Sequence, residues 1–325
     1  MFQRYYSLAA NAFVETIRQP LFGVVLVATA LLMILNVSLA AFTFGEDDKL
    51  LLDLGLSTLL LSGLFLSAFS AAGVITREIE NKTVLTVISK PVSRPMFILG
   101  KFTGLLGALL VAYYLSFLAF VLTVRHGVLE ASSDPWDGPV LVFGFGSVFL
   151  SVLAAAWCNY FYGNHFATTA MAFATPLLTA SVLAVGKLDP VWKVIPFGSN
   201  YIGGQEIIAA YLVMLAVMIT AAVAVAASTR FGQLMTLVTC AAVLGVGIIS
   251  DYAFGQYEAT STAAMIAYRT VPNFGVFWII DGLMSGTHET AVPGRYVFYA
   301  TAYALLLTVG ILGIAVAAFQ KREVG

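Results

Sequence analysis

The stretch LFGVVLVATALLMILNVSLAAFT, residues 21–43, decides the fold class of this protein. It contains no charged side chain, and a helix needs about 20 predominantly apolar residues to cross the hydrocarbon core of a bilayer. The rest of the chain has the same character, because 60% of its 325 residues are hydrophobic and only 10% are charged. A soluble domain carries about 25% charged residues. Lipid is therefore the remaining environment for so much apolar surface.

Stretches of this kind recur along the chain, and their positions predict the number of membrane spans. Eight qualify: 21–43, 54–76, 98–124, 140–162, 166–186, 207–228, 234–250 and 296–318. The run at 234–250 is short and the link at 163–165 is tight, so either could belong to a re-entrant hairpin. The prediction is an all-α polytopic membrane protein with about eight transmembrane helices, and six as the fallback count.

The first 20 residues predict a separate interfacial helix. No apolar run of membrane length precedes Pro20, and no cleavage site follows a short apolar core, so a signal peptide is not expected. On a helix, one face would carry Phe2, Tyr5, Ala9, Ala12 and Phe13, and the other Arg4, Ser7, Asn11, Glu15 and Arg18. This pattern is typical of a helix lying in the membrane interface. The predicted domains are residues 1–20 and a transmembrane domain of residues 21–325.

Lys and Arg residues predict the orientation, because cytoplasmic loops carry an excess of them. With the N-terminus in the cytoplasm, ten of the sixteen Lys and Arg residues lie on the cytoplasmic side. We therefore expect a multi-pass protein of the cytoplasmic (inner) membrane with both termini in the cytoplasm. Two polar segments are long enough to have structure: residues 77–97 in the cytoplasm, and the aromatic, mildly acidic residues 251–295 outside.

The cytoplasmic segment reads REIENKTVLTVISKPVSRPMFILGK over residues 77–101. Glu78 and Lys82 stand four residues apart, a spacing that supports a helix, and Pro91 and Pro95 prevent its continuation into the next span. The segment therefore predicts a short amphipathic helix between the second and third spans. Such a helix could carry force from a soluble partner to the spans. The alternative is an ordinary basic loop that only sets the topology.

The same segment resembles the coupling region of the type-2 ABC export permeases, and the C-terminal FQKREVG is similar to the ending common in that family. The positions that match the family pattern are Arg77, Glu78, Glu80, Thr83, Leu85, Pro91, Ser93, Arg94, Gly100 and Lys101. The common form of the family has six spans, whereas up to eight are predicted here. The permeases linked with multicopper enzyme maturation are a subgroup in which the span number varies.

The resemblance implies a permease, expected to be an exporter, that works as a pair of identical or sister chains. Each chain would engage an ABC ATPase subunit, which would hold the ATP and Mg, so that this chain itself would need no cofactor and catalyse no reaction. The lipid bilayer is the other expected partner, and nucleic acid is not expected. The predicted ATPase-coupling residues are Arg77, Glu78, Glu80, Lys82, Thr83 and Leu85.

Motifs of other function classes do not occur in the sequence. There is no G-x-x-x-x-G-K-[ST], H-E-x-x-H or G-x-S-x-G pattern. Cys158 and Cys240 both lie in apolar runs, and the three histidines are far apart without ligand spacing, so neither a disulfide nor a metal site is expected. A membrane-embedded enzyme or an ion-coupled carrier is disfavoured, because either would want an ionisable group at membrane depth. A non-transporting scaffold or assembly factor remains an alternative.

Uncharged polar residues inside the spans are candidates for a translocation path. Those singled out are Asn36, Asn159, Thr168 and Thr175, with Asn36 first because a carboxamide at that depth requires partners. The alternative is that these residues pack helices together, each interhelical hydrogen bond contributing about 0.6 kcal/mol. The sequence does not indicate the transported substrate.

Overall fold

The computed structural model describes residues 2–42, 47–76, 78, 93–129, 136–199, 203–280 and 292–320. Within these ranges the chain is helical and no β-strand occurs. The helices are α1 Phe2–Ile17, α2 Pro20–Ala40, α3 Asp47–Ala71, α4 Arg94–His126, α5 Gly138–Tyr162, α6 Phe166–Val185, α7 Gly204–Ser228, α8 Gln233–Ile248, α9 Ser250–Ala253, α10 Thr262–Thr270 and α11 Gly294–Gln320. A π-helical turn, Ala72–Thr76, continues α3.

Seven helices in the described ranges are long and apolar enough to cross a membrane: α2, α3 with its π-helical turn, α4, α5, α6, α7 and α11. The count becomes eight if α8 and the bent helical stretch after it, which meet at an angle of 63°, form one broken span. The prediction of an all-α multi-pass membrane protein is therefore confirmed. The region of α8 is the short run at 234–250, where the sequence left the span count open.

The helix ends follow local sequence signals. Pro20 opens α2, where its missing N–H costs nothing because the first amides of a helix have no partner within it. Asp137 caps α5 by accepting a hydrogen bond from the amide of Val140 at 3.1 Å. Gly163 ends α5 in the left-handed region at φ 67°, a conformation that glycine adopts without a steric cost. The tight 163–165 link is thus a helix stop followed directly by α6.

The chain divides into two compact units. One unit comprises residues Met1–Leu21, Leu60–Leu109 and Tyr211–Gly325. In it, α1 packs against α4, and the stretch around α9 and α10 is tied together by Asp251, which accepts hydrogen bonds from Tyr268 and Asn273, both at 2.7 Å.

The other unit comprises Phe22–Leu59 and Leu110–Ala210. Its longest contact is the α5–α6 hairpin, where the hydroxyl of Ser181 bonds the hydroxyl of Ser147 at 3.0 Å. A buried ion pair joins Arg125 and Asp137 at 3.0 Å. Arg125 also donates to the carbonyl of Leu188 at 3.1 Å, which ties the loop after α6 to the end of α4.

The spans differ in how much of their surface other parts of the protein cover. The most apolar window of α3 is 78% buried, whereas that of α2 is only 22% buried. Large apolar side chains such as Val24, Val27 and Leu31 are more than half exposed on α2. Because monomeric soluble proteins rarely expose a continuous apolar surface of this size, this side of α2 is suited to contact with lipid.

Candidate functional site

A buried lysine organises the junction of three elements in the first unit. The side chain of Lys101, at the start of the third turn of α4, is only 1% exposed. Its ammonium contacts the carboxylate of Glu78, just beyond α3, at 2.8 Å and that of Glu15, on α1, at 3.2 Å. It also lies 5.9 Å from the centre of the Phe97 ring. These residues are called the Lys101 cluster below.

Glycines on α4 bring α1 close enough for this cluster to form. A Cβ atom at Gly104 would overlap the carbonyl oxygen of Ala9, and one at Gly100 would lie 3.0 Å from the Cβ of Leu8. Ala12 is fully buried in the same contact. The predicted apolar face of α1 is therefore the face that packs on α4, and Glu15 follows on the next turn toward Lys101.

The π-helical turn at the end of α3 positions Glu78. Such turns add a residue to the helical repeat and are frequent at functional sites. Here the hydroxyl of Thr76 lies 3.2 Å from the carbonyl oxygens of both Ser228 and Phe231, which fixes the end of α3 against the end of α7. The next described side chain, Glu78, meets Lys101.

The cluster leaves Glu78 in an unusual electrostatic position. Burial raises the pKa of its carboxyl above the ordinary value of 4.5, and the nearby charge and hydrogen bond of Lys101 offset only part of that rise. A second contribution that raises the pKa comes from the negative charge of Glu15. The ammonium is therefore shared by two carboxylates, which makes it the group on which the junction depends.

The other end of the predicted coupling segment is also anchored. Arg94, the first residue of α4, donates a hydrogen bond to the main-chain carbonyl of Gln320 at the end of α11. Arg230 donates to the carbonyl of Ala318 on the same last turn at 2.6 Å, and the Phe97 and Phe319 rings stack with their centres 5.5 Å apart. Cations are favourable at a helix C-terminus, where carbonyl groups have no partner within the helix.

A cleft of about 430 Å³ lies beside the Lys101 cluster. It is lined by Asn11, Val14, Glu15, Arg18, Gln19, Pro20, Gly73 and Glu78. The absence of a side chain at Gly73 makes room for Gln19, since a Cβ there would lie 2.5 Å from the Gln19 amide nitrogen. That nitrogen is buried and has no hydrogen-bond partner among the residues that the structure describes.

Most of the predicted coupling residues lie outside the described ranges: Arg77, Glu80, Lys82, Thr83 and Leu85. Glu78 is described. The spacing of Glu78 and Lys82 suggested a pair within one helix, and the partner that the structure gives to Glu78 is Lys101. Glu78 therefore belongs to the junction between helices as well as to the start of the predicted coupling segment.

The four candidate path residues have separate local environments. Asn36 is buried and donates to the hydroxyl of Thr58 on α3 at 3.1 Å. Asn159 is exposed and donates to the carbonyl of Asn164 in the 163–165 link at 2.6 Å. Thr175 bonds the main chain of its own helix, one turn back, and the Thr168 hydroxyl is buried without a partner in the described part of the chain. No hydrogen bond there joins two of these four residues.

The sequence analysis named Lys101 as a position that matches the family pattern and placed Glu15 on the polar face of the first helix, and it missed the contact between them. A signal was available, because Lys101 stands inside the apolar run MFILGKFTGLLG, residues 96–107. A lysine that is buried by such surroundings requires a carboxylate partner. Which carboxylate that would be depends on the close approach of α1, a contact that no sequence spacing reveals.

Nothing in the described part of the chain brings together three or more His, Cys, Asp or Glu side chains suited to a metal ion. Comparisons with protein-family models, curated proteins and solved structures found no match to this chain. The arrangement of the Lys101 cluster and the anchored ends of residues 77–97 must therefore carry the functional argument.

Proposed function

We propose that this chain is the membrane-spanning permease subunit of an ATP-binding cassette transporter, an exporter, driven by a separate ATPase subunit that docks on residues 77–97. One observation carries the proposal: the residues at both ends of this segment are held by other helices. Glu78 is bound through Lys101 to α4 and α1, and Arg94 is bound to the end of α11.

A permease driven by a separate ATPase must transmit force from the docking segment to its spans. A partner that moves during ATP hydrolysis can shift the spans only if its contact point does not yield independently of them. An ion pair with the buried Lys101 at one end of residues 77–97, and a hydrogen bond to the main chain of α11 at the other end, join the segment to α1, α4 and α11. A displacement applied there would therefore reach several helices together, as coupling through packed elements requires.

The family resemblance supplies the rest of the proposal. Two such chains, identical or sister, would pair and each would engage one ATPase on the cytoplasmic side. The residues proposed to contact the ATPase are Arg77, Glu80, Lys82, Thr83 and Leu85. Glu78 is instead proposed to connect that contact surface to the helices, because its carboxylate is already bound to Lys101.

Co-purification tests the proposal. The tagged full-length chain is extracted in mild detergent from its native host, and bound proteins are identified and quantified. We expect an ABC ATPase near one copy per chain. Glu80→Lys should release it, because charge reversal opposes docking, whereas Glu258→Lys, on the side predicted to be external, should not.

The purified proteins give the second measurement. When the purified ATPase subunit is mixed with purified permease, we expect it to hydrolyse ATP more slowly with Glu80→Lys than with wild type, while thermal stability of the permease stays unchanged. The proposal fails if no ATPase is recovered and the Glu80→Lys variant behaves like wild type in every measurement. The segment would then not be a docking site for an ATPase subunit. A stable ATPase complex whose hydrolysis responds to no transported compound would favour a scaffold.

A further inference from the structure

The cleft beside the Lys101 cluster has both signs of charge on its walls. Glu15 and Glu78 contribute carboxylates, and Arg18 contributes a guanidinium. With Lys101, which is bound to both carboxylates, the formal charges of this group sum to zero. The volume of about 430 Å³ falls in the range of roughly 300–1,000 Å³ that is usual for small-molecule sites.

The cleft offers both hydrogen-bond acceptors and hydrogen-bond donors. Glu15 is 35% exposed and has acceptor capacity beyond its contact with Lys101. Arg18 and the side-chain amide of Gln19 are donors, and the amide nitrogen is buried without a partner among the described residues. A ligand with only a phosphate would face two carboxylates, and a ligand with only an ammonium would leave these donors unused. A ligand that carries both an ammonium and a phosphate can donate to the carboxylates and accept from the donors.

The cleft also lies at the first residue of the first helix that is apolar and long enough to cross a membrane. Its lining ends at Pro20, the first residue of α2. The next residue, Leu21, is 41% exposed, and α2 continues as an apolar helix of 21 residues. α1 is amphipathic, as helices in the headgroup layer are. A polar ligand in this cleft with apolar chains attached could therefore place those chains beside Pro20 and Leu21, where the first apolar helix begins.

We propose that this cleft binds the headgroup of an aminophospholipid, with the primary ammonium accepted by Glu15 and Glu78 and the phosphate bound by Arg18 and Gln19. This site is independent of the ATPase partner and of the direction of transport. It would hold α1 against the bilayer at the point where α1 meets the Lys101 cluster.

Native mass spectrometry of the delipidated full-length protein tests the site. The probes are dioleoyl phosphatidylethanolamine, the phosphatidylcholine and phosphatidylglycerol with the same acyl chains, and soluble phosphoethanolamine. Phosphatidylcholine has no N–H donor and phosphatidylglycerol has no cation. Losing a charge-assisted hydrogen bond costs about tenfold or more in binding, so we expect phosphatidylethanolamine to bind about tenfold more tightly than either.

Two variants locate the binding. Val14→Trp fills the cleft without changing charge, at a residue 38% exposed that tolerates a larger side chain, and should abolish the preference for phosphatidylethanolamine. Val24→Trp makes the same change at an exposed position outside the cleft and should leave binding unchanged. Arg18→Gln should weaken the binding of phosphatidylethanolamine by about tenfold, because the phosphate loses the cation that pairs with it.

The outcomes separate the sources of the ligand. Displacement of phosphatidylethanolamine by phosphoethanolamine supports recognition of the headgroup. If phosphoethanolamine binds and phosphatidylethanolamine does not, the ligand of the cleft is a soluble amino phosphate and the lipid proposal is wrong. Equal binding of the three lipids, or a Val14→Trp variant that binds phosphatidylethanolamine like wild type, would overturn the proposal.

Discussion

Replacing Lys101 by Met removes the only cation that contacts both Glu15 and Glu78 in the described structure. Methionine keeps the length and most of the volume of the side chain, so the packing around Phe97 changes little. The two carboxylates, however, are left near each other without the ammonium that lies 2.8 Å and 3.2 Å from them. The variant therefore tests the charge of Lys101 and not its bulk.

The expected loss is large because the ammonium is almost fully buried. Removing one partner of a buried ion pair typically costs about 3–5 kcal/mol. Glu15 and Glu78 are 35% and 20% exposed and keep some contact with water, so a loss near the lower end, about 3 kcal/mol, is expected. At roughly 2 °C per kcal/mol for a large domain, the midpoint of thermal unfolding should fall by about 6 °C.

The loss should depend on pH. Burial already raises the pKa of Glu78 above 4.5, so the folded protein binds this proton more tightly than the unfolded chain does. The contribution of Glu78 to stability therefore falls as the pH rises from 4.5 through the pKa of the folded state. Without Lys101 the pKa of Glu78 in the folded state rises further, so its contribution to stability is lost at a higher pH. The defect of Lys101→Met should thus be smaller in mild acid than above neutral pH.

Thermal unfolding in detergent, followed by tryptophan fluorescence at pH 5.5 and pH 8, measures the effect. Lys187→Met, the same change at an exposed lysine, is the control and should unfold like wild type. The triple variant Lys101→Met/Glu15→Gln/Glu78→Gln should recover much of the stability, because it removes the uncompensated charges as well. The predicted role of the Lys101 charge is wrong if Lys101→Met and Lys187→Met have the same unfolding midpoint at both pH values. It is also wrong if the triple variant is no more stable than Lys101→Met.

Two further substitutions test the packing around the site and the buried polar pair. Gly104→Ala should destabilise the protein by about 1–3 kcal/mol and expose α1 to limited proteolysis, because its Cβ would overlap the main chain of Ala9. Gly146→Ala is the control, since nothing lies near its Cβ. Equal protection of α1 from proteolysis in both variants would contradict the contact between α1 and α4. Thr58→Val should cost about 1–3 kcal/mol by leaving the amide of Asn36 without its acceptor, and adding Asn36→Leu should restore thermal stability; a double variant less stable than the single one would mean that the amide has another partner.

The hydrophobic pattern was sufficient to predict the long apolar helices, but not α9 and α10. Each of the eight apolar runs coincides with a helix, because the backbone of a chain in lipid must pair its own hydrogen-bonding groups and a helix does so within one segment. The apolar face of α1 was also readable, as its period of 3.6 residues places Tyr5, Ala9 and Ala12 on one side. The short run at 234–250 was rightly left open, because a helix of 16 residues is about 24 Å long and does not span about 30 Å of hydrocarbon unaided.

Pairing between distant residues depended on the folded chain. Lys101 is 86 residues from Glu15 and 23 from Glu78, and Arg94 is 226 residues from Gln320. A local pattern can indicate that a buried lysine needs a carboxylate, but which one it meets is set by how closely α1 approaches Gly104. Hydrophobicity acts locally and without direction, so it can be read along the chain, whereas ion pairs require atoms within about 4 Å, a condition that only tertiary packing can satisfy.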